Sequence, residues 1–161
     1  MQRQDWRTEP LTTTRSDDAA ALYRLFFPQT WERPWSGSEF SALLATPGCF
    51  GYLLIDAVHD WARGLILLRA AADEAEILTV GVVPDSRRHG GAARLLEQAM
   101  ADCAARGAQS LFLDVAEDNE PARRFYERWG FTTIATRPSY YARGTASRVA
   151  ALTMRRTLSH K

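Results

Sequence analysis

The sequence predicts a mixed α+β fold, a mostly antiparallel sheet of about six or seven strands covered by about four helices. Three observations carry that expectation. Three apolar, β-branched runs succeed one another between residues 50 and 83 with short polar connections, the pattern of an antiparallel meander. Two strongly patterned helices, over 90–106 and 119–130, then flank a short apolar strand. Finally, 46% of the 161 residues are apolar, enough to build a core and too many for a disordered chain.

Each element has its own signal. Asp17–Phe27 reads as a first helix, with Ser16 placed to cap it. Pro28, Trp31, Pro34 and Trp35 mark an irregular connection. Ser36-Gly37-Ser38-Glu39 fits a capping box, in which Ser and Glu reciprocally satisfy free backbone donors, so a second helix starts there and ends at Thr46-Pro47-Gly48. Strands follow over Phe50–Ala57, Arg63–Ala71 and Glu76–Val83, the last ended by Pro84. In the helix Gly90–Arg106, residues Ala92, Leu95, Leu96, Ala99, Met100 and Cys103 form one stripe, and Gly107 stands where a left-handed cap is expected. Leu111–Val115 is a short buried strand. Asn119 caps a helix that carries Pro121 in its first turn, where a missing N–H costs nothing; its stripe is Ala122, Phe125, Tyr126 and Trp129, and Gly130 ends it. Phe131–Arg137 and Ala150–Thr157 are the last strands. With no internal repeat or low-complexity linker, residues 1–161 are expected to form a single domain.

Composition narrows the function. The formal net charge is +1, which argues against gross electrostatic binding to nucleic acid or to an anionic membrane. Lys161 is the only lysine among the 20 basic residues, so Schiff-base or lysine-nucleophile chemistry is not expected. Cys49 and Cys103 do not make a disulfide framework, and the three histidines (59, 89 and 160) form no zinc-ligand pattern with them, so no metal is expected. Residues 1–5 carry no apolar segment of a leader, and no apolar run reaches membrane-spanning length; a cytoplasmic protein is the expectation.

One loop stands out on physical grounds. Arg87-Arg88-His89-Gly90-Gly91-Ala92 joins a strand to a strong helix, where unpaired N–H groups and the positive end of the helix dipole meet. Glycines let a polyanion approach the main chain, and arginines add charge-assisted contacts. The loop lacks the Gly-Lys-Ser/Thr of a Walker A motif. On these residues alone it reads equally as an anion cradle or as a solvated turn.

With its flanks, the loop resembles a known signature. Arg87-x-x-Gly90-x-Ala92 after strand 77–83 is similar to the acyl-CoA pyrophosphate loop of the GNAT N-acetyltransferase superfamily. Asn119, Ala122, Phe125-Tyr126-Glu127 and Trp129-Gly130-Phe131 resemble that superfamily's second signature, and the element order agrees over most of the chain. Three further places resemble the RimI-type branch, bacterial enzymes that acetylate the N-terminal alanine of a small-subunit ribosomal protein: Arg33-Pro34-Trp35-Ser36 leading to Phe40, Leu111-Phe112-Leu113-Asp114-Val115, and Tyr140-Tyr141.

The resemblance implies a GNAT-like fold and acetyl transfer from acetyl-CoA to an amine by direct attack on the thioester. Backbone groups of Val80, Gly81 and Val82 would align the pantetheine and acetyl group. Arg87, Arg88, His89, Gly90, Gly91, Ala92 and Ala93 would hold the pyrophosphate, and Asn119 the pantetheine or adenylate portion. Asp114 would be the general base, where the family more often has glutamate, so its shorter side chain would work through a water. Glu76 is the alternative base, and Tyr126 the general acid for the departing thiolate. Trp35, Tyr140 and Tyr141 would line the acceptor site.

Read without the resemblance, Asp114 is a polar residue ending an apolar strand, Glu76 a solvent-facing strand residue and Tyr126 a member of a core stripe. Gly81 is a glycine in a core strand, and Trp35 is a packing residue. Partners are acetyl-CoA and an acceptor that is either a protein N-terminal peptide or a small amine, with no nucleic acid or membrane, in a monomer or weak dimer. The carboxylates of Glu74, Glu76, Asp114, Glu117, Asp118 and Glu120 would offer a basic peptide an acidic approach. One feature opposes a basic acceptor: residues 137–161 contain six basic groups and no acidic one.

Overall fold

A computed structural model describes residues 4–26, 33–143 and 147–158. Phe27, Pro28, Trp31, Gly144–Ala146, His160 and Lys161 lie outside the described residues. The strands are β1 (Trp6–Pro10), β2 (Cys49–Asp56), β3 (Trp61–Ala71), β4 (Glu74–Val82), β5 (Ser110–Ala116), β6 (Thr132–Arg143) and β7 (Ser147–Thr157). The helices are α1 (Ser16–Phe26), α2 (Gly37–Ala45), α3 (Gly91–Ala105) and α4 (Glu120–Arg128). One sheet contains all seven strands in the order β1-β2-β3-β4-β5-β7-β6. Only β4 and β5 are parallel; every other pair is antiparallel.

Alternation along the strands sorts two cores onto two faces. Leu54, Ile66, Leu68, Ile77, Val82, Leu111, Leu113 and Met154 pack with Leu95, Leu96, Ala99 and Cys103 of α3 and Tyr126 of α4. Leu53, Ile55, Leu65, Leu67 and Val83 pack on the opposite face with Ala19, Leu22 and Phe26 of α1 and Phe40 of α2. Among the described residues, helices α1 and α2 pack chiefly on β2, β3 and β4.

The helix ends obey local chemistry. The Glu39 N–H donates to Ser36 Oγ at 3.2 Å, as the capping box requires. Helices α3 and α4 both end in Schellman turns, with Gly107 at φ 92° and Gly130 at φ 87°. In the second, the Phe131 N–H donates to the Tyr126 carbonyl at 3.0 Å and the two rings pack edge to face 5.6 Å apart.

The fold departs from the sequence expectations in three places. Strand β1 was not expected: it is a short edge strand, half-buried along most of its length, so it shows no clean alternation. Ser16 does not cap α1; it is the first helical residue, and its hydroxyl donates to the Thr13 carbonyl at 2.8 Å. Strand β6 does not stop at Arg137 but runs on to Arg143. Between Arg137 and Tyr141 its register slips against β7, with Ser139 at φ 54°, so Pro138 sits inside a bulge on an edge strand where its missing N–H is tolerated.

Candidate active site

The site begins with a flaw in the sheet. Parallel pairing of β4 with β5 covers only Glu74–Glu76 against Ser110–Phe112 and then ceases. On the other side of β4 the register passes from Leu68↔Ile77 to Leu67↔Thr79, so Leu78 is the extra residue of a β-bulge. Beyond it, residues 77–82 of β4 and 113–116 of β5 face a gap with no ladder between them. Antiparallel alternation turns the Gly81 backbone groups toward β3 and those of Val80 and Val82 toward this gap, where Arg87 already takes the Val82 carbonyl. The loops leaving the carboxyl ends of both parallel strands meet at this end of the sheet, the usual position of a ligand crevice in sheets containing parallel strands.

On the α3 side, the first loop forms a backbone cradle. Arg88 at φ 65° and Gly90 at φ 82° are both left-handed. For arginine that conformation costs about 1–3 kcal/mol, a strain retained where the surrounding structure uses it. Gly90 is the N-cap of α3 and offers no side-chain cap, and the first turn holds no acidic residue. The N–H groups of Gly91, Ala92 and Ala93 therefore lack helical partners and point out of a helix N-terminus, a ready anion site. Nothing lies within 4 Å of the place a Gly90 Cβ would occupy. These features fit the pyrophosphate of acetyl-CoA.

Neighbouring residues set the shape of that loop. Arg87 donates from Nε to the Val82 carbonyl at 3.0 Å and from Nη2 to the Phe26 carbonyl at 3.1 Å, so it ties α1 to the end of β4. Gly91 is buried, and a Cβ there would stand 2.6 Å from Leu54 Cδ2, so it is a packing glycine. Trp6 Nε1, which nothing in the sequence singled out, donates to the His89 carbonyl at 2.8 Å. Gly81 likewise serves packing: a Cβ there would meet the Phe26 ring at 2.4 Å. Asn119 caps α4 through Oδ1, which accepts from the Ala122 N–H at 3.3 Å.

Tyr126 lies on this same face, 9% exposed between the rings of Phe125 and Phe131. Burial pushes its phenol well above the usual tyrosine range, so it is protonated at neutral pH and able to donate. Among the described residues its hydroxyl has no acceptor.

Asp114 stands on the other face. Leu111, Leu113 and Val115 of β5 turn into the α3–α4 core, so alternation turns Phe112 and Asp114 away from it. Thr153, the cross-strand partner of Asp114 on β7, donates to Oδ1 at 2.7 Å. Among the described residues neither α1 nor α2 is packed against that face of β5 and β7, and Asp114 is exposed. Thus Asp114 and Tyr126 lie on opposite faces of the sheet. Glu76 is on the Asp114 face but is engaged by Arg69, its cross-strand neighbour.

The proposed acceptor residues divide. Trp35 stacks on Tyr23 at 5.1 Å and meets Phe40 edge-on at 5.5 Å, joining α1 to α2. Tyr140 is half exposed and packs perpendicular to Tyr141 at 5.1 Å. Arg143 grips Asp118 with two bonds of 3.0 Å, so one of the basic groups after Tyr141 is neutralised from the loop before α4. Of the six carboxylates that might draw in a basic peptide, Glu76, Asp118 and Glu120 are spent on arginines 69, 143 and 124. Among the described residues no cluster of three His, Cys, Asp or Glu side chains is placed to hold a metal, and no helix is long and apolar enough to cross a membrane.

A splayed parallel pair, a glycine-rich helix start beside it and a buried tyrosine after it define an acyl-CoA-dependent transferase. The model of the acetyltransferase (GNAT) family matches residues 14–131, and the chain belongs to that family. It is an N-acetyltransferase with acetyl-CoA as cosubstrate. A [Ribosomal protein bS18]-alanine N-acetyltransferase of Haemophilus ducreyi is 34% identical over 121 residues, 75% of this chain and 81% of that protein. An uncharacterized Mycobacterium leprae protein is 34% identical over 133 residues, 81% of this chain but only 36% of that protein, so the chain spans about a third of that relative. The crystal structure of the Escherichia coli ribosomal-protein-S18-alanine N-acetyltransferase superposes with a TM-score of 0.86 at 25% identity, covering 98% of this chain and 96% of that one. Arabidopsis thaliana NAA60, solved with acetyl-CoA, shares the fold at a TM-score of 0.80 and 16% identity over 95% of this chain and 98% of that one.

Proposed function

We propose that this chain is a single-domain cytoplasmic enzyme that acetylates the N-terminal α-amine of a protein, alanine being the residue suggested by the bS18-modifying relatives. The observation that carries the reading is the placement of Asp114. It is exposed on the sheet face opposite the α3–α4 core, on a stretch of β5 and β7 against which neither α1 nor α2 is packed among the described residues, and an exposed carboxylate there suits an extended peptide. A small-amine acceptor would be better served by an enclosed pocket.

Acetyl-CoA supplies an activated thioester. Arg88 to Ala93 hold its pyrophosphate, and Asn119 lies at the same end of the gap. Backbone groups of Val80 and Val82 align the pantetheine and acetyl group, and a free N–H of this stretch bonds the thioester carbonyl. Asp114, with Oδ1 held by Thr153, accepts the proton of the acceptor ammonium through a water, because its side chain is one methylene shorter than glutamate. Tyr126 holds the proton that the departing thiolate takes. Asp114 is preferred to Glu76 because Arg69 already occupies the glutamate. Arg137, Arg148 and Arg155 on the C-terminal strands favour a neutral or acidic segment after the acetylated residue over an arginine-rich one.

The test uses the purified chain, acetyl-CoA and a panel of peptides differing in the first residue and in the charge of the next four, alongside small primary amines. Transfer to peptides with free α-amines is expected. Transfer to small amines with none to any peptide would refute the protein acceptor, and no transfer to any amine would point to a non-catalytic acyl-CoA-binding module.

A further inference from the structure

We propose that Trp6, on the edge strand β1, is a positioning residue for the donor: it aims a backbone N–H of the β4–α3 loop at the pyrophosphate of acetyl-CoA. The inference rests on the reading of that loop as the pyrophosphate cradle. Trp6 lies outside residues 14–131, the part of the chain that matches the family model.

The argument runs through one peptide plane. Trp6 Nε1 donates to the His89 carbonyl at 2.8 Å. In a trans peptide the carbonyl of one residue and the N–H of the next point in opposite directions. Holding the His89 carbonyl toward β1 therefore sends the Gly90 N–H away from β1. Gly90 is exposed, and among the described residues no backbone acceptor takes its N–H. Gly90 has φ 82°, and glycine populates both signs of φ with similar ease, so the residue itself does not select this orientation. The indole bond selects it. It also sets the direction in which Gly90 N–H joins the free N–H groups of Gly91, Ala92 and Ala93, giving a concave row of donors.

Trp6 is itself well placed to do this. Its β1 register fixes it opposite Asp56 of β2. The indole is half-buried against the α3-side core, and its Cε2 would be 3.5 Å from a Cβ at Gly91. The ring therefore lies in van der Waals range of the first turn of α3. Indole is a neutral donor with no acceptor atom, so it can anchor a carbonyl without competing for the phosphate oxygens. Arg87, spent on the carbonyls of Val82 and Phe26, anchors the other side of the loop in the same manner.

Acetyl-pantetheine carries the same thioester and pantetheine arm but no pyrophosphate, and it supplies the test. Wild-type enzyme is expected to favour acetyl-CoA over acetyl-pantetheine by about a hundredfold in kcat/KM. Trp6→Phe keeps an aromatic ring and removes the donor; it should lower kcat/KM for acetyl-CoA about tenfold, through KM, and change the acetyl-pantetheine value by less than about twofold. A wild-type-like preference in W6F, or an equal loss on both donors, overturns the role of Trp6. No preference for acetyl-CoA in the wild type overturns instead the reading of the loop. Amide exchange of the wild-type chain gives a second measurement that needs no variant: added CoA should slow exchange at Gly90 about tenfold or more, and an unchanged rate overturns the proposal.

Discussion

The two faces of the sheet beside the β4–β5 gap solve different problems with the same strands. On the α3–α4 face the groups available to a ligand are mainly backbone: a strained loop, an uncapped helix start, and a tyrosine locked by a Schellman turn. On the other face they are side chains on an open surface, Asp114 with Thr153, Glu76 with Arg69, and the Tyr140–Tyr141 pair. Alternation in β5 makes the division, sending Leu113 and Val115 one way and Asp114 the other. Backbone geometry suits a donor that is the same in every turnover. Exposed side chains suit an acceptor whose sequence has to be discriminated, since they change singly without disturbing the core.

The strongest way to break this comparison is Asp114→Asn. As a general base on the acceptor face alone, Asp114 should matter to kcat and not to donor binding. We expect kcat to fall about a thousandfold, with the calorimetric Kd for acetyl-CoA unchanged within about twofold. Thr153→Val should lower kcat about tenfold in the wild type and have no effect in the Asp114→Asn background, because both changes act through one carboxylate. A loss of acetyl-CoA affinity in Asp114→Asn would mean the two faces are not separable.

On the donor face the corresponding change is Phe131→Ala. Phe131 is 2% exposed; its N–H closes the turn after α4, and its ring packs against Tyr126. Removing a buried phenylalanine ring costs about 3–5 kcal/mol, so a fall in Tm of more than about 10 °C is expected by thermal unfolding. Surviving folded enzyme should be slow with every acceptor alike. A variant that loses activity with some peptides only would place Tyr126 in acceptor selection.

The same contrast explains what was legible in the sequence. Helices α3 and α4, their glycine ends, the capping box at Ser36 and the loop Arg87–Ala93 are local chemistry, and each is visible within a few residues. The contacts that tune the site are not local. Trp6 lies 83 residues from His89, and Thr153 lies 39 from Asp114; neither pairing has a sequence signal, because both depend on strand order and register. Strand β1, half-buried along most of its length at the sheet edge, lacks the alternation that marks a strand in sequence. Strand β6 passes Pro138 because a bulge on an edge strand accommodates a missing N–H, a feature of register that local sequence does not display. Arg87 is visible as a cation in the loop, but its bond to the Phe26 carbonyl depends on α1, which reaches it from elsewhere in the chain.

The finest distinction between the faces rests on the Arg143–Asp118 clamp. It joins the β6 end that carries Tyr141 to the loop before α4, and so connects the acceptor side to the donor side. Asp118→Asn removes the carboxylate charge that faces Arg143, whose guanidinium lies 5.7 Å from the Tyr141 ring. We expect KM to rise about threefold for peptides with arginine near the N-terminus and to stay unchanged for neutral ones, a size fitting for a partly exposed pair. The hydrogen bonds from Arg143 hold the Asp118 carboxyl below the usual carboxylate range. A carboxyl lowered in this way keeps its partner above its unfolded value, near about 4, and releases it only as the pH falls through the lowered value. The difference between wild type and Asp118→Asn should therefore be constant from about pH 5 to pH 8 and vanish only in stronger acid. A difference that disappears already near pH 6 would show that another group, and not Asp118, screens Arg143 from the acceptor.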